Sequence, residues 1–196
     1  SYSFLCSDES IPILKSCSLE IDANQHTAII GQSGSGKTTL LKLMAGMIMP
    51  DEGDVYLLGN LTKALDLEKK IDMRRNAISF IFQDFRLIGC LSALDNVMLP
   101  GKIRGEKDTK RKALDALEQV AMSHRLSHFP HQLSGGEQQR VAIARSIAQS
   151  PQVLFADEPT GNVDERKSQS ILNYLFTGLC QTTIVLVTHD LDSAHR

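Results

Sequence analysis

Short apolar runs alternate along the chain with stretches whose apolar residues recur at helical spacing. Thr27–Ile30, Asp54–Leu58, Ala77–Phe82, Gln152–Ala156 and Thr183–Val187 read as strands. Thr38–Met47 reads as a helix that stops before Pro50. Lys107–Leu126 carries apolar residues at 113, 114, 117, 120 and 121, one face of a second helix. Gly135–Ala148 reads as a third, and Ile171, Leu172, Leu175, Phe176 and Leu179 mark a fourth. Strands separated by helices predict an α/β fold with a mostly parallel sheet. The strand signals fall in 1–84 and 151–196, whereas 85–150 is mostly helical. The expectation is an α/β core, 1–84 and 151–196, into which a helical subdomain, 85–150, is inserted.

Composition narrows the function. Of 196 residues, 42% are hydrophobic and 22% charged, the balance of a folded globular chain. Twenty-one basic against 23 acidic residues leave a formal charge of −2, which argues against a dedicated nucleic-acid binder. Cys6, Cys17, Cys90 and Cys180 show no metal spacing and read as reduced thiols. With no membrane-length apolar run and no signal-peptide pattern at the start, a cytoplasmic location is expected.

Four loops carry candidate chemistry. Gly31-Gln32-Ser33-Gly34-Ser35-Gly36-Lys37-Thr38 is a complete G-x-x-x-x-G-K-[ST], a pattern that chance supplies about 0.006 times in this length. A strand precedes it and a helix follows, as phosphate binding requires. The glycines let backbone amides wrap a phosphate, Lys37 reaches its terminal groups, and Thr38 offers a hydroxyl to Mg²⁺. Thr39 is the next residue of that helix.

Ser134-Gly135-Gly136-Glu137 opens the helix at Gly135. Ser134 and Glu137 match a capping box, which is a purely structural reading. A cap needs no glycine pair, however, and bare amides at a helix start suit a second phosphate contact. Asp157 and Glu158 end a strand at the edge where open α/β sheets bind ligands. Asp157 is placed to hold Mg²⁺ through water, and Glu158 to act as general base toward an attacking water. His189 follows another core strand and reads either as a γ-phosphate sensor or as an ordinary histidine.

Together these residues resemble the ATP-binding-cassette (ABC) ATPases. The phosphate loop at 31–38, Gln83 after a strand, LSGGEQ at 133–138, LFADE at 154–158 and THD at 188–190 occur in that family's order. The resemblance spans nearly the whole chain. It implies a P-loop NTPase core of RecA-like type, ATP and Mg²⁺ as ligands, and ATP hydrolysis coupled to transport. It also implies that Gln83 is the Mg²⁺-sensing glutamine at the hinge to the helical subdomain, Asp164 a dimer-contacting aspartate and His189 a switch histidine. Phe4, with Tyr2 as fallback, would stack on adenine. EPTGNVD and FQDFRLIGCLSALDNVMLP are similar to the lipoprotein-releasing and macrolide-export subgroup, although Val163 replaces that subgroup's leucine. The chain begins where the family's first strand is expected to finish and stops just after His189, so terminal strands are expected to be missing.

The expected partners are a second copy, arranged head to tail around ATP, and an integral membrane permease contacted through 85–99. The chain would then sit peripherally on the inner face of the cell membrane. The apolar character of 85–99 is equally compatible with internal packing. A regulatory ABC protein acting on a cell-division or envelope complex is the alternative. A small P-loop kinase leaves LSGGEQ and His189 unexplained. His124, His128 and His131 read as a metal cluster or as a plain loop. The basic residues at 102, 104, 107, 110, 111 and 112 suit either lipid headgroups or a solvated helix start.

Overall fold

The computed structural model describes residues 1–6, 9–160 and 165–189, with the side chains of 4–6, 9–10 and 165–168 left aside. At its centre lies a four-stranded sheet of β3 (His26–Ile30), β6 (Ile78–Ile81), β7 (Val153–Asp157) and β8 (Thr183–Thr188). The spatial order is β3-β8-β7-β6, and every pairing is parallel. β6, β7 and β8 are buried along their full length, which is why they read as continuous apolar runs rather than alternating ones. β3 and β6 are the two edge strands, and of these β3 is partly exposed.

The pleat divides the core in two. Val153, Phe155, Val185 and Val187 point to one face, against Leu41 of α1 (Lys37–Met44) and Ala45, which caps its end. Leu154, Ala156, Ile184 and Leu186 point to the other. They meet Val141, Ile143 and Ala144 of α5 (Gly135–Gln149) and Ile171, Leu172 and Leu175 of α6 (Glu165–Gly178). The alternation of side chains along a strand thus binds helices to both sides.

Three more helices lie between strands: α2 (Leu67–Ala77), α3 (Ala93–Arg104) and α4 (Thr109–Gln119). α3, α4 and α5 pack together, and α5 also lies against β6 of the sheet. An antiparallel hairpin of β1 (Tyr2–Cys6) and β2 (Glu9–Leu14) precedes the sheet, and β4 (Tyr56–Leu57) pairs with β5 (Asn60–Leu61).

The structure corrects several boundaries read from sequence. Ala77 ends α2 rather than starting a strand, and α2 itself was not anticipated, because its apolar residues do not form a clear stripe. Asp54–Leu58 contributes only the two-residue β4. The helix expected over Lys107–Leu126 stops at Gln119. It gives way to a turn in which Ala121 has φ of 55°, followed by a single 3₁₀ turn at Ser123–Arg125. The basic stretch is not one helix start, since Lys102 and Arg104 end α3 while Lys110, Arg111 and Lys112 begin α4. Four of its six cations are paired: Lys102 with Asp95, Arg104 and Lys112 with Glu106, and Arg111 with Asp108. That local neutralisation favours the solvated-helix reading over a lipid surface.

Asn96, fully buried on α3, pins the connection that leaves the sheet. Its Nδ2 donates to the carbonyls of Ile88, Leu91 and Ser92 (3.1, 3.0 and 3.0 Å), and its Oδ1 accepts from Ile88 N at 2.7 Å. Asn96→Ala leaves those groups without the partner that compensates their burial. It should cost about 2–4 kcal/mol and lower the melting temperature by ~4–15 °C. Thermal unfolding measures this, and a loss below about 1 kcal/mol would contradict it.

Candidate ATP site

Because the four central strands are parallel, the loops that follow them emerge at one edge, where open α/β sheets place ligands. Gly31 follows β3, Gln83 lies just past β6, Glu158 follows β7 and His189 follows β8. Residues spread over most of the sequence therefore meet.

The phosphate loop leads into α1 through Gly36, whose φ of 88° is left-handed. A side chain there would be strained, and its Cβ would lie 2.8 Å from Ile13 Cγ2 of β2. α2, α3 and α5 have side-chain N-caps in Asp66, Ser92 and Ser134; α1, like α4, has none and no acid in its first turn, but α1 alone of these two follows the glycine-rich loop. Its leading amides are left for an anion. Lys37 is buried and folds back over the loop, donating to the carbonyls of Gly31 (2.7 Å) and Gln32 (2.8 Å). Ser35 N closes the turn on Gln32 O at 3.2 Å. Ser33 and Gly34 are exposed, and Thr39 is half-buried behind them.

Thr38 Oγ1 donates to Asp157 Oδ1 at 2.9 Å. Burial raises the Asp157 carboxyl above the ordinary aspartate value, with Glu158 adding to the rise, while Thr38, Lys42 and Lys37 oppose it. A hydroxyl and a carboxylate that converge in this way, in a cavity that Gln83 also lines, form a hard-oxygen donor pair suited to Mg²⁺. The cavity they line has a volume of about 450 Å³ and is completed by Lys42, Phe82, Asp84 and Arg86. Lys42 was missed in the sequence reading although its i+4 spacing from Thr38 puts it on the same helical face.

Glu158 adopts φ of 45°, uncommon for a residue with a side chain, and its amide donates to Val187 O at 3.0 Å. The carboxylate lies 3.9 Å from Lys37 Nζ and 3.2 Å from His189 Nδ1. Lys37, Glu158 and His189 thus form one constellation; Thr38, Asp157 and Gln83 form the adjacent one.

Ser134 bonds within its own helix start. Its Oγ accepts from Glu137 N (3.4 Å), while Glu137 Oε2 accepts from Ser134 N and Oγ (both 2.8 Å), so the capping box is complete. Arg125 Nε donates to the other Glu137 oxygen at 3.0 Å. The Ser134 bonds, backed by Arg125, hold the Glu137 carboxyl down at about 2. Capping does not account for the glycines: a Cβ on Gly135 would meet nothing within 4 Å, and Gly136 is only half-buried. Of the three histidines, His128 Nε2 lies 2.9 Å from Arg125 Nη1, and His131 stacks on Phe129 with ring centroids 6.0 Å apart. No cluster of three or more His, Cys, Asp or Glu side chains that could hold a metal ion occurs among the described residues. Phe4 pairs with Ile11 through the β1–β2 backbone, but its side chain and the whole of Asp164 lie outside the described residues.

The sequence and fold have close counterparts. The ABC transporter family matches residues 14–161. The ABC transporter ATP-binding protein YbbA of Escherichia coli K12 is 43% identical over 193 residues, covering 96% of this chain and 85% of that protein. The lipoprotein-releasing system ATP-binding protein LolD 2 of Rhodopseudomonas palustris is 42% identical, covering 96% and 83%. The macrolide export ATP-binding/permease protein MacB of Rhodopirellula baltica is 43% identical, but the match takes in only 28% of it. Among solved structures, the ATP-binding cassette MJ0796, a dimer in a post-hydrolysis state bound to ADP and Pi, superposes with a TM-score of 0.91 at 37% identity. That match covers 98% of this chain and 87% of the other. The chain belongs to the ABC transporter family, as an ATP-binding subunit that hydrolyses ATP.

Proposed function

We propose that this subunit binds Mg²⁺-ATP at the sheet edge, closes head to tail on a second copy around it, and drives a membrane permease docked on residues 85–99. The observation that carries the reading is the convergence of Lys37 and Thr38 at the start of α1, Asp157 and Glu158 at the end of β7, and His189 just past β8. The uncapped start of α1 and Gly31–Thr38 would cradle the phosphates, with Lys37 exchanging its two loop carbonyls for phosphate oxygens. Thr38 and Asp157, with Gln83 nearby, would hold Mg²⁺, which supplies charge neutralisation on the phosphates. Glu158 would orient water and accept its proton, and His189 would hydrogen-bond the γ-phosphate while steadying Glu158. Phe4 would stack on adenine, and Asp164 would meet the partner copy. MJ0796 supports a dimer, being described as one. The lipoprotein-releasing and macrolide-export relatives support a permease and hence a peripheral position at the membrane.

In this reading 1–84 with 151–196 is the nucleotide-binding unit, and 85–150 transmits its state. The permease surface is marked by Ile88, 40% exposed, and the neighbouring exposed Cys90, while Ala93 and Val97 of the same segment are buried in the core. Packing and docking thus fall on different residues of 85–99. Ile88→Asp should abolish co-purification with the permease from membranes, while the isolated subunit still releases phosphate in a chelator-sensitive manner. Retention of the permease by Ile88→Asp would move the docking surface elsewhere, and chelator-insensitive turnover would remove Mg²⁺ from the reading.

A further inference from the structure

Immediately after Gln83 the chain makes a tight, unfavourable turn. Phe85 and Arg86 have φ of 58° and 45°, two consecutive left-handed residues without a glycine. Such conformations cost of order 1–3 kcal/mol each and persist only where surroundings enforce them. Phe85 N donates to Phe82 O at 3.0 Å and Arg86 N to Asp84 O at 2.6 Å. The Arg86 guanidinium lies 4.0 Å over the Phe82 ring, and its Nε is 3.3 Å from Asp84. These contacts are internal to the turn. The grip from outside comes from Arg145 on α5, whose Nη2 donates to Phe85 O and Nη1 to Arg86 O, both at 2.9 Å.

The planar guanidinium matches that carbonyl pair as a fork, a geometry that a point charge cannot reproduce. Burial pushes the Arg145 guanidinium below its usual pKa, and among the described residues no carboxylate pairs with it. The two carbonyls therefore partner a half-buried cation, and bonds to an ionised donor are the stronger kind. Arg145 also sits eleven residues along α5 from Ser134, about 16 Å at 1.5 Å per residue. Val141, Ile143 and Ala144 between them are fully buried, so the helix acts as a packed rod. One end presents Ser134, and the other holds the turn that follows Gln83.

We propose that Arg145 is a positioning residue for Gln83. By clamping the Phe85–Arg86 carbonyls it fixes where Gln83 stands in the cavity with Thr38 and Asp157, and it makes that place depend on the attitude of α5. The inference rests on the reading that Gln83 serves the ATP site.

The test compares wild type with Gln83→Ala, Arg145→Ala, Arg145→Lys and the Gln83→Ala/Arg145→Ala double variant. The readouts are ATP affinity, kcat, KM, the Mg²⁺ concentration for half-maximal rate, and melting temperature. Misplacing a reacting-site group by about 1 Å is worth up to ~10²-fold, so Arg145→Ala should lower kcat ~10–100-fold and raise the half-saturating Mg²⁺ several-fold. ATP affinity should stay within about threefold, because the phosphate loop is untouched. Arg145→Lys, which can still donate but not as a fork, should recover part of kcat. The double variant should be no slower than Gln83→Ala alone, since both lesions remove one function. Wild-type kinetics in the Arg145 variants beside an impaired Gln83→Ala would overturn the inference alone, as would losses that multiply in the double variant. Wild-type kinetics in Gln83→Ala would remove both the inference and the reading beneath it. If Arg145→Ala does not fold, Arg145→Lys decides: an unshifted Mg²⁺ requirement with full kcat overturns the proposal.

Discussion

Glu158→Gln is expected to bind ATP with near-normal affinity while hydrolysing it ~10²–10⁴-fold more slowly, the usual worth of a positioned general base. The substitution preserves the volume of the side chain and the Val187 backbone bond, which belongs to the amide and not to the carboxylate. What it removes is the charge that lies 3.9 Å from Lys37 and 3.2 Å from His189. With no base to take its proton, the water attacks slowly. With one negative charge fewer beside the phosphates, bound ATP should also hold the closed dimer together. Single-turnover phosphate release together with sedimentation in ATP reads both effects. Turnover within about threefold of wild type would assign the base elsewhere. His189→Ala would then become the next variant to measure.

The second large effect concerns which chain completes which site. Each copy carries a helix start without a side-chain cap after the phosphate loop, at α1, and a second, glycine-led start at Ser134, both of which the proposed function uses as phosphate contacts. Ser134 bonds to Glu137 of its own helix, and Glu137 in turn to Arg125, rather than to the phosphate loop. A head-to-tail two-fold dimer would use both by placing each nucleotide between the phosphate loop of one copy and Ser134–Gly136 of the other. Lys37→Ala and Ser134→Arg should each be inactive alone. In a mixed dimer both lesions fall in one shared site and leave the other intact. Random pairing makes about half of the dimers mixed, so about a quarter of all sites should revive. The double variant paired with wild type should have both sites broken, which guards against cooperativity between sites. If each chain used its own Ser134, the first mixture would stay inactive and the wild-type member of the second would keep working. That reversed pattern, with mixed dimers verified by differential tags, would sink the shared-site arrangement.

Much of this protein is written in local patterns. The phosphate loop could be read directly because its chemistry is carried by neighbouring backbone amides and by Lys37 and Thr38, all within one turn. Asp157 and Glu158 were legible because a buried parallel strand is a continuous apolar run, and acids at its end must emerge at the ligand edge. The Ser134–Glu137 box was legible because capping depends on an i, i+3 spacing. Hydrophobic periodicity also marked α4 and α5 as helices, as a helix's packing face repeats every few residues.

Contacts between distant residues were decided only by tertiary structure. The 2.9 Å bond from Thr38 to Asp157 spans 119 positions, and no local pattern encodes it. Arg145 looks in sequence like one more cation on an amphipathic helix; its function as a clamp exists only because α5 lies across the Phe85–Arg86 turn. Asn96 resembles a surface polar residue until α3 folds over 88–92 and buries it completely. The positive φ values at Phe85, Arg86 and Glu158 are likewise invisible in advance, since none of these residues favours that region on its own. Local spacing determined which groups stand ready at each strand end. The order β3-β8-β7-β6, a product of long-range pairing and burial, determined which of them meet.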